Sequence, residues 1–438
     1  MAHDSSVHNI ETKILGIGID TIYLYPILFF LVWFLAFRYL PEEAVFSLKM
    51  YAQLSVFWLP YLLLFVFWDQ WVHYVWSLFL TKQKYCVLEV RLPQEINKSP
   101  LAMELFLATL YQSGRETTFI DRLWLGKVRL HFSLEIASFE GDVRFFIWTP
   151  SLVKQTLEAR IYAQYPEVEV HEVPDYTRRV RYDEKKMDLW GVEYRFVAPN
   201  PYPIKTYVDF GLDRDPKEEH KVDPVSHLLE FFGALRQGEY MWVQFIIRSH
   251  TPNQRLGFKF TKDNYKEDLK HEIEGILATV PGAEEGRATY HQLSERDKRR
   301  LEAMQTKASK QLFDVGIRAI YFAKKENYDS RNTSPGLHPL FRHLQTSDLN
   351  TLANTRGMGT FDYFWQDLFG IRKPAMRRRL FKHFQDRSYF WVPYANIPVV
   401  LNSEELATLY HFPGEVVKAP TLERIPSRKA GAPANLPI

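Results

Sequence analysis

Lys127-Val-Arg-Leu-His-Phe-Ser-Leu-Glu-Ile-Ala-Ser138 alternates between apolar and polar side chains more cleanly than any other segment of the chain. Alternation with a period of two is typical of a β-strand that buries one face. We expect an apolar inner set and a polar outer set, namely Val128, Leu130, Phe132, Leu134 and Ile136 inward, and Lys127, Arg129, His131, Ser133 and Glu135 outward. A turn at Glu140–Gly141 then leads into Val143, Phe145 and Ile147, which predicts a hairpin.

The segments around this hairpin complete a recognisable order. Tyr85–Leu92 alternates as a strand, and Ser99 followed by Pro100 predicts the start of a helix through Leu110. A second helix is predicted from Val153 to Tyr165, before Pro166, and a last strand over Val168–Val173. The order β-α-β-β-α-β predicts a ferredoxin-like domain over residues 83–180, with two helices on one face of an antiparallel sheet.

The following region, 181–400, predicts a second α+β domain, compatible with a diverged copy of the first. Its predicted strands are Trp190–Ala198, Lys205–Phe210, Met241–Arg248, Val315–Ala323 and short strands within Tyr389–Leu401. Its predicted helices are Val225–Leu235, Asp263–Thr279, Leu293–Leu312 (capped by Ser294), Phe361–Phe369 and Ala375–Gln385, with a polar loop over Ser334–Gly359.

Residues 401–438 are predicted to form a tail that docks onto a partner. A short helix is expected over Ser403–Tyr410. From Phe412 onward the chain contains Pro413, Pro420, Pro426, Pro433 and Pro437, which is typical of an extended segment of polyproline character.

The N-terminal part predicts a membrane anchor. Thr21–Phe37 and Ala52–Trp68 carry no charge, and each is just long enough to cross a hydrocarbon core of ~30 Å. Tyr and Trp flank both runs, as at membrane interfaces. With a short loop over Arg38–Tyr51, they form a two-helix hairpin over 21–82, preceded by a cytoplasmic segment over 1–20. Asp69 is read as the end of the second span, with Gln70–Leu80 at the interface, in preference to a proton relay with His73.

Charge and cysteine content give the expected location. Lys13, Lys82 and Lys84 flank the outer ends of the hairpin, against Arg38 and Lys49 in its loop, which weakly favours a cytoplasmic body. The single Cys86 agrees with a reducing compartment and is expected to serve packing. We therefore expect a multi-pass protein of the inner (cell) membrane, with the bulk of the chain in the cytoplasm.

The sequence contains no motif of a common active site. A phosphate-binding loop, a G-x-S-x-G elbow and an H-E-x-x-H helix are all missing from it. The net charge of +3 argues against a general nucleic-acid coat. We expect no catalytic residue, no cofactor and no metal site; an unrecognised membrane enzyme remains a third alternative.

One basic patch is the best candidate for binding. It interleaves with Phe381, Phe384 and Tyr389, and such a pattern is compatible with phosphates, single-stranded nucleic acid, anionic lipid headgroups or a solvated helix face. Its members are Arg372, Lys373, Arg377, Arg378, Arg379 and Lys382.

Several stretches share one resemblance, namely Lys98–Glu104 (KSPLAME), Arg160–Pro166 (RIYAQYP) with Val173–Tyr176 (VPDY), Phe361–Asp367 (FDYFWQD), Leu401–Gly414 (LNSEELATLYHFPG), Arg428-Lys429 and Asn435–Pro437. Together they resemble the membrane-anchored N-terminal region of bacterial type IV secretion and conjugation ATPases of the HerA/FtsK-like class. In these relatives a P-loop motor follows the Asn-Leu-Pro segment, whereas this sequence ends there.

The resemblance implies a place in a translocation machine without implying ATP hydrolysis. The expected function is a non-catalytic scaffold of a type IV secretion-like system for conjugative DNA or protein, which recruits a separately encoded HerA/FtsK-like ATPase. The expected docking residues are Leu401, Leu406, Leu409, Phe412 and Pro413. Membrane lipid, DNA and a second copy are further expected partners. The alternative is a membrane-anchored nucleic-acid-binding protein that acts without a motor.

Overall fold

The computed structural model describes most of the chain from residue 53 to residue 414. Side chains are described at 28–32, 34–35, 38, 50, 53–93, 96, 98–111, 118–213, 222–250, 265–278, 293–355, 367, 370–391 and 394–414. The backbone alone is described at 42–49 and 51–52 and in the short strands 13–14, 17–18, 254–256, 259–261 and 424–425.

A long helix, α1, spans Glu42–Lys82 and leads directly into the folded body. Within the described residues one stretch, Gln53–Lys82, is long and apolar enough to cross a membrane. The predicted loop Arg38–Tyr51 is wrong from Glu42 onward, because residues 42–50 contain no Gly or Pro and continue the helix. The helix also continues past Asp69. Residues 28–32 and 34–35 are helical, and the rest of the predicted first span lies outside the described residues.

The first half of the body contains four strands that pair with one another in antiparallel fashion. They are β1 (Tyr85–Pro93), β2 (Phe132–Phe139), β3 (Asp142–Pro150) and β4 (Glu169–Val173), arranged β4-β1-β3-β2. Its helices are α2 (Pro100–Thr109), the short α3 (Phe119–Leu123) and α4 (Lys154–Gln164). Ser99 caps α2 by accepting a hydrogen bond from the Leu101 amide, as its position before Pro100 predicts.

The second half repeats the strand order of the first. Its strands are β5 (Met187–Phe196), β6 (Glu239–Ser249), β7 (Leu312–Lys324) and β8 (Leu352–Asn354), arranged β8-β5-β7-β6 and all antiparallel. Its helices are α5 (Ser226–Gly233), α6 (Tyr265–Ala278), α7 (Glu295–Ser309) and α8 (Arg372–Asp386). Ser294 caps α7 as expected. The two halves differ in where helices are inserted.

The halves join along their second strands into one large antiparallel sheet. β2 pairs with β6 from Phe132↔Ile247 to Phe139↔Tyr240. The resulting strand order is β8-β5-β7-β6-β2-β3-β1, with β4 also on β1. The sheet therefore continues across the predicted domain boundary at residue 180. Short hairpins also form at 254–261 and 390–395, and a helical turn at Thr333–Gly336.

Both faces of the sheet are covered. One face packs on α2, α4 and α5 around the main core, which includes Phe106, Ile161 and Phe232. The other face packs on α8 through Leu380, Phe381 and Phe384. Arg387 at the end of α8 and Phe390 just after it contact the predicted outer face of β2, so His131, Ser133 and Glu135 lie inside the protein. The strand itself begins at Phe132, and Lys205–Phe210 forms turns where a strand is predicted.

The start of the predicted tail is part of the core. Strand β9 (Val399–Asn402) pairs with the first residues of β7, and helix α9 (Ser403–Leu409) follows it. Asn402 and Glu405 form a capping box at the start of α9, which fixes the turn between strand and helix. Every residue of α9 is buried. Among the described residues beyond Gly414, Arg424–Ile425 pairs with Leu92–Pro93 of β1.

Candidate functional site

The basic patch predicted from sequence lies on the first part of α8. Asp367 accepts hydrogen bonds from the amides of Arg372 (2.9 Å) and Lys373 (3.0 Å), and these backbone donors hold its carboxyl pKa below the usual range. The carboxylate thus complements the positive end of the helix. The patch therefore begins at a capped helix terminus.

Acidic neighbours neutralise part of this patch. Arg377 forms an ion pair with Asp188 at the start of β5, and Arg378 forms one with Glu184 at 3.0 Å. Lys382 is exposed, and within the described part of the chain no acidic group pairs with it. Pairing leaves these arginines less available to an external anion than their sequence density suggests.

The aromatic residues of the patch are core residues. Phe381, Phe384 and Tyr389 are all buried, with Phe384 and Tyr389 at most 1% exposed. Phe384 lies under the guanidinium of Arg318, 4.4 Å from its ring centroid. Phe384 and Tyr389 therefore offer no surface for stacking, since an external base cannot reach buried rings.

A shallow groove brings part of the patch together with residues that the sequence reading missed. Its cavity volume is about 330 Å³, and Arg178 and Tyr182 enter it from the loop before β5. Burial raises the pKa of Tyr182 to about 12, so its hydroxyl stays protonated. Three cations and one acidic side chain surround the groove, which is lined by Arg178, Tyr182, Arg378, Phe381, Lys382, Gln385 and Asp386.

The groove residues come from two segments about 200 residues apart in the sequence. The loop contributes further exposed cations, Arg179, Arg181, Lys185 and Lys186, which the sequence places within ten residues of Arg178. This density of Arg and Lys was the available signal. The nearness of this loop to α8 depends on the pairing of β5 with β7, which composition does not show.

Beneath α8, a row of buried polar side chains crosses four strands. Arg318 of β7 lies opposite Glu193 of β5 on one side and Gln244 of β6 on the other, and Gln244 lies opposite Glu135 of β2. Arg318 donates to the Gln244 side chain (2.9 Å) and to the carbonyls of Ser388 and His383, and Gln244 donates to Glu135 (3.0 Å). The row holds the end of α8 on the sheet.

Arg387 completes this polar row from above. It ends α8 in the left-handed conformation (φ 48°) and is fully buried. Burial opposes its charge, yet the carboxylates of Glu135 and Asp175 outweigh burial and raise its pKa. Burial raises the pKa of Glu193, which accepts hydrogen bonds from Tyr394 and Asn396. The polar groups of this row form hydrogen bonds and ion pairs with one another, and their role is structural.

The residues predicted to dock a partner are also structural. Leu401, Leu406, Leu409 and Phe412 are at most 2% exposed, and Pro413 is buried. Phe412 packs against Phe145 and Tyr165, with ring centroids 5.5 and 4.9 Å apart. The structure thus differs from the predicted extended tail over 401–413, because this segment completes the main core and offers no exposed anchor. Cys86 is buried, as expected for packing.

Among the side chains that the structure describes, no group of three or more His, Cys, Asp or Glu residues could hold a metal ion.

Comparison of the chain with protein-family models and with curated proteins gave no match.

Proposed function

We propose that the chain is a membrane-anchored scaffold of a type IV secretion-like translocation system. The observation that carries the proposal is the joint between α1 and the body. The apolar side chains from Leu54 to Phe67 are largely exposed, whereas Trp71 and Trp76, farther along the same helix, donate hydrogen bonds to the body at 3.1 and 3.0 Å. A helix that exposes apolar surface on one side of such a joint fits a lipid environment.

The proposal also includes the form of the anchor and the fold of each half of the body. The anchor is a two-helix hairpin in the inner membrane, with the body in the cytoplasm. Each half of the body is a ferredoxin-like module, which the shared strand order 4-1-3-2 in purely antiparallel pairing supports. Fold alone assigns no chemistry, so the proposed role is assembly.

Recruitment of a HerA/FtsK-like ATPase is proposed to reside after Gly414. Residues 401–413 are committed to the core, whereas the resemblance to secretion ATPases extends through Arg428-Lys429 and Asn435–Pro437. The scaffold role is non-catalytic. The partner ATPase supplies hydrolysis.

Co-purification tests this proposal. The tagged full chain is co-expressed in membranes with a candidate HerA/FtsK-like ATPase, beside a variant in which residues 415–438 are replaced by a Gly/Ser linker of the same length. We expect the full chain to retain the ATPase and the linker variant to lose it by at least tenfold, at equal membrane levels. Equal retention by both chains would reject recruitment through this segment.

A second candidate function is binding of single-stranded nucleic acid at the groove. The observation that favours it is the meeting of Arg178, Arg378 and Lys382 around one open groove. Each phosphate contact to a single strand contributes about 0.7 to the slope of log K against log salt. Changing all three residues to Ala should therefore reduce that slope by about 2. Changing the exposed Lys266 and Lys270 of α6 to Ala is the matched control. An unchanged slope in the triple variant would leave only the scaffold.

A further inference from the structure

The loop around α3 exposes an unusual amount of apolar surface. Phe119, Ile120, Trp124 and Leu125 lie within seven consecutive residues, and each is more than half exposed. Between them, Leu123 is buried against Val72, Val75 and Trp76 of α1. Soluble surfaces rarely cluster four large apolar side chains in so short a segment without a partner.

This segment is fixed to α1 at one level of the helix. The indole Nε1 of Trp71 donates to the Leu123 carbonyl (3.1 Å) and that of Trp76 to the Arg122 carbonyl (3.0 Å). The ring of Trp124 lies against Trp71, with centroids 5.6 Å apart. Gly126, at φ 65°, allows the backbone to approach the Val75 carbonyl so closely that a Cβ there would lie 2.2 Å from its oxygen.

That level coincides with the edge of the apolar part of α1. The nearly continuous series of exposed apolar side chains that begins at Leu54 ends at Phe67, and Asp69 follows it; farther along α1, only Tyr74 and Leu78 are exposed among the large apolar side chains. Trp71 is one turn farther, about 6 Å along the helix axis at ~1.5 Å per residue. The interfacial layer of a bilayer is about 5–8 Å thick on each side of a ~30 Å hydrocarbon core. The α3 segment therefore reaches the depth of this layer if the apolar part of α1 lies in the core.

Exposed cations lie on the aqueous side of the segment. Lys82 and Lys84 are exposed where α1 passes into β1, and no acidic partner is described for either. Asp121, inside the segment, is paired with Lys127 at 2.7 Å. Lys82 is 11 residues beyond Trp71, about 16 Å farther along the axis of α1 at ~1.5 Å per residue, so these cations face anionic headgroups from the aqueous side.

We propose that Phe119–Leu125 inserts into the interfacial layer of the leaflet that α1 leaves at Trp71, as a second contact between body and lipid. The proposal rests on the membrane anchorage proposed above. It makes the membrane face of the body a surface with two attachments, α1 and the α3 segment, which restricts tilting of the sheet about the helix.

Site-directed labelling measures the depth of this segment. The full chain with Cys86→Ala carries single cysteines labelled with an environment-sensitive fluorophore and is reconstituted into vesicles of phosphatidylcholine and phosphatidylglycerol. The label is placed at Ile120→Cys or, in a second variant, at Phe119→Cys, both exposed in α3. Leu63→Cys, on the exposed apolar part of α1, and Glu326→Cys, just past the far end of β7, are the references. β7 extends by ~3.3 Å per residue, so Glu326 lies about 40 Å from the ends of the strands next to α3.

Quenching by lipids with a nitroxide high on the acyl chain gives the result. We expect the label at 119 or 120 to be quenched at least threefold more than the label at 326. Quenching at 63 without quenching at 119 and 120 would overturn this proposal and leave the anchorage intact. Absence of quenching at 63, 119 and 120 would reject the anchorage itself. A blue-shifted label at 120 that lipid nitroxides do not quench would indicate a protein partner and would also overturn the proposal.

Discussion

The guanidinium of Arg387 and the carboxylate of Glu135 form a two-bond ion pair inside the protein, with Nε–Oε1 at 3.0 Å and Nη2–Oε2 at 3.1 Å. The residues are 252 positions apart in the sequence. Since Arg387 ends α8 and Glu135 lies in β2, this contact attaches a helix of the second half to a strand of the first.

Removing the positive charge of this pair should destabilise the fold strongly. Arg387→Met leaves Glu135 buried without its cation, and we expect a loss of about 3–5 kcal/mol in the free energy of unfolding. Glu135→Gln should cost less, because Arg387 keeps its ion pair with Asp175 at 2.6 Å. Chemical denaturation in detergent measures it. Arg378→Met, which removes an exposed ion pair with Glu184, is the matched control and should cost less than about 1 kcal/mol. Equal losses in the two Met variants would contradict a special role for burial.

A second buried pair ties α9 to α7. Lys307 Nζ lies 3.1 Å from Glu405 Oε2, and both side chains are fully buried. Burial lowers the pKa of Lys307 and raises that of Glu405. Lys307→Met should cost about 3 kcal/mol, and adding Glu405→Gln should recover part of it, with a coupling of about 2 kcal/mol in a double-mutant cycle. Additive losses would show that the two groups do not interact.

His131 should make the protein sensitive to mild acid. Burial, with the nearby charge of Arg248 second, lowers its pKa from 6.5 to about 4, and it lies among Tyr85, Trp148 and Phe390. Between pH 6.5 and 4 the unfolded chain therefore binds more protons at this site, so stability falls as the pH drops through that range. At most about 3 kcal/mol is involved.

Unfolding curves of the full chain between pH 7 and 4 test this effect. His131→Phe should flatten the pH dependence of the unfolding free energy in that window. The same change at the exposed His171 should leave it as in the wild type. A parallel curve for His131→Phe and wild type would contradict the assignment.

Gly126 should tolerate no side chain. Gly126→Ala combines a left-handed backbone with a contact of 2.2 Å to the Val75 carbonyl, so the α3 segment must move away from α1. We expect faster proteolysis between Thr118 and Lys127. Gly370→Ala is the control, because Gly370 also has positive φ (62°) and meets nothing within 4 Å. Similar protease resistance in both variants would show that close approach is not the constraint.

Local rules of sequence were sufficient for much of the fold. Caps at Ser99 and Ser294, the helix stop before Pro166 and the alternation in β2 and β3 all predict elements that the structure contains. The polar row was not predictable in this way. Glu135, Gln244 and Arg318 occupy the non-core positions of their strands, and alternation assigns such positions to solvent until a second layer covers them.

The candidate site shows the same division. The cations of α8 were evident from composition, whereas their acidic partners Asp188 and Glu184 and the groove residue Tyr182 depend on tertiary packing. The docking role expected for Leu406 and Phe412 followed from the family resemblance of this segment, and it requires these side chains to be exposed. Its burial depends on α2 and β3, more than 250 residues earlier.

The position of β1 has a mechanical consequence. It follows α1 directly at Tyr85, lies between β3 and β4, and ends near Ile96, whose carbonyl lies beside Gly414. If the proposed anchor and the proposed ATPase pull on Tyr85 and on the chain beyond Gly414, the tension acts along the axis of β1. The ladder bonds of antiparallel strands are perpendicular to that axis, so the load is shared by all of them in shear and no single bond is peeled first. The strand is thus oriented to bear a force applied between its two ends.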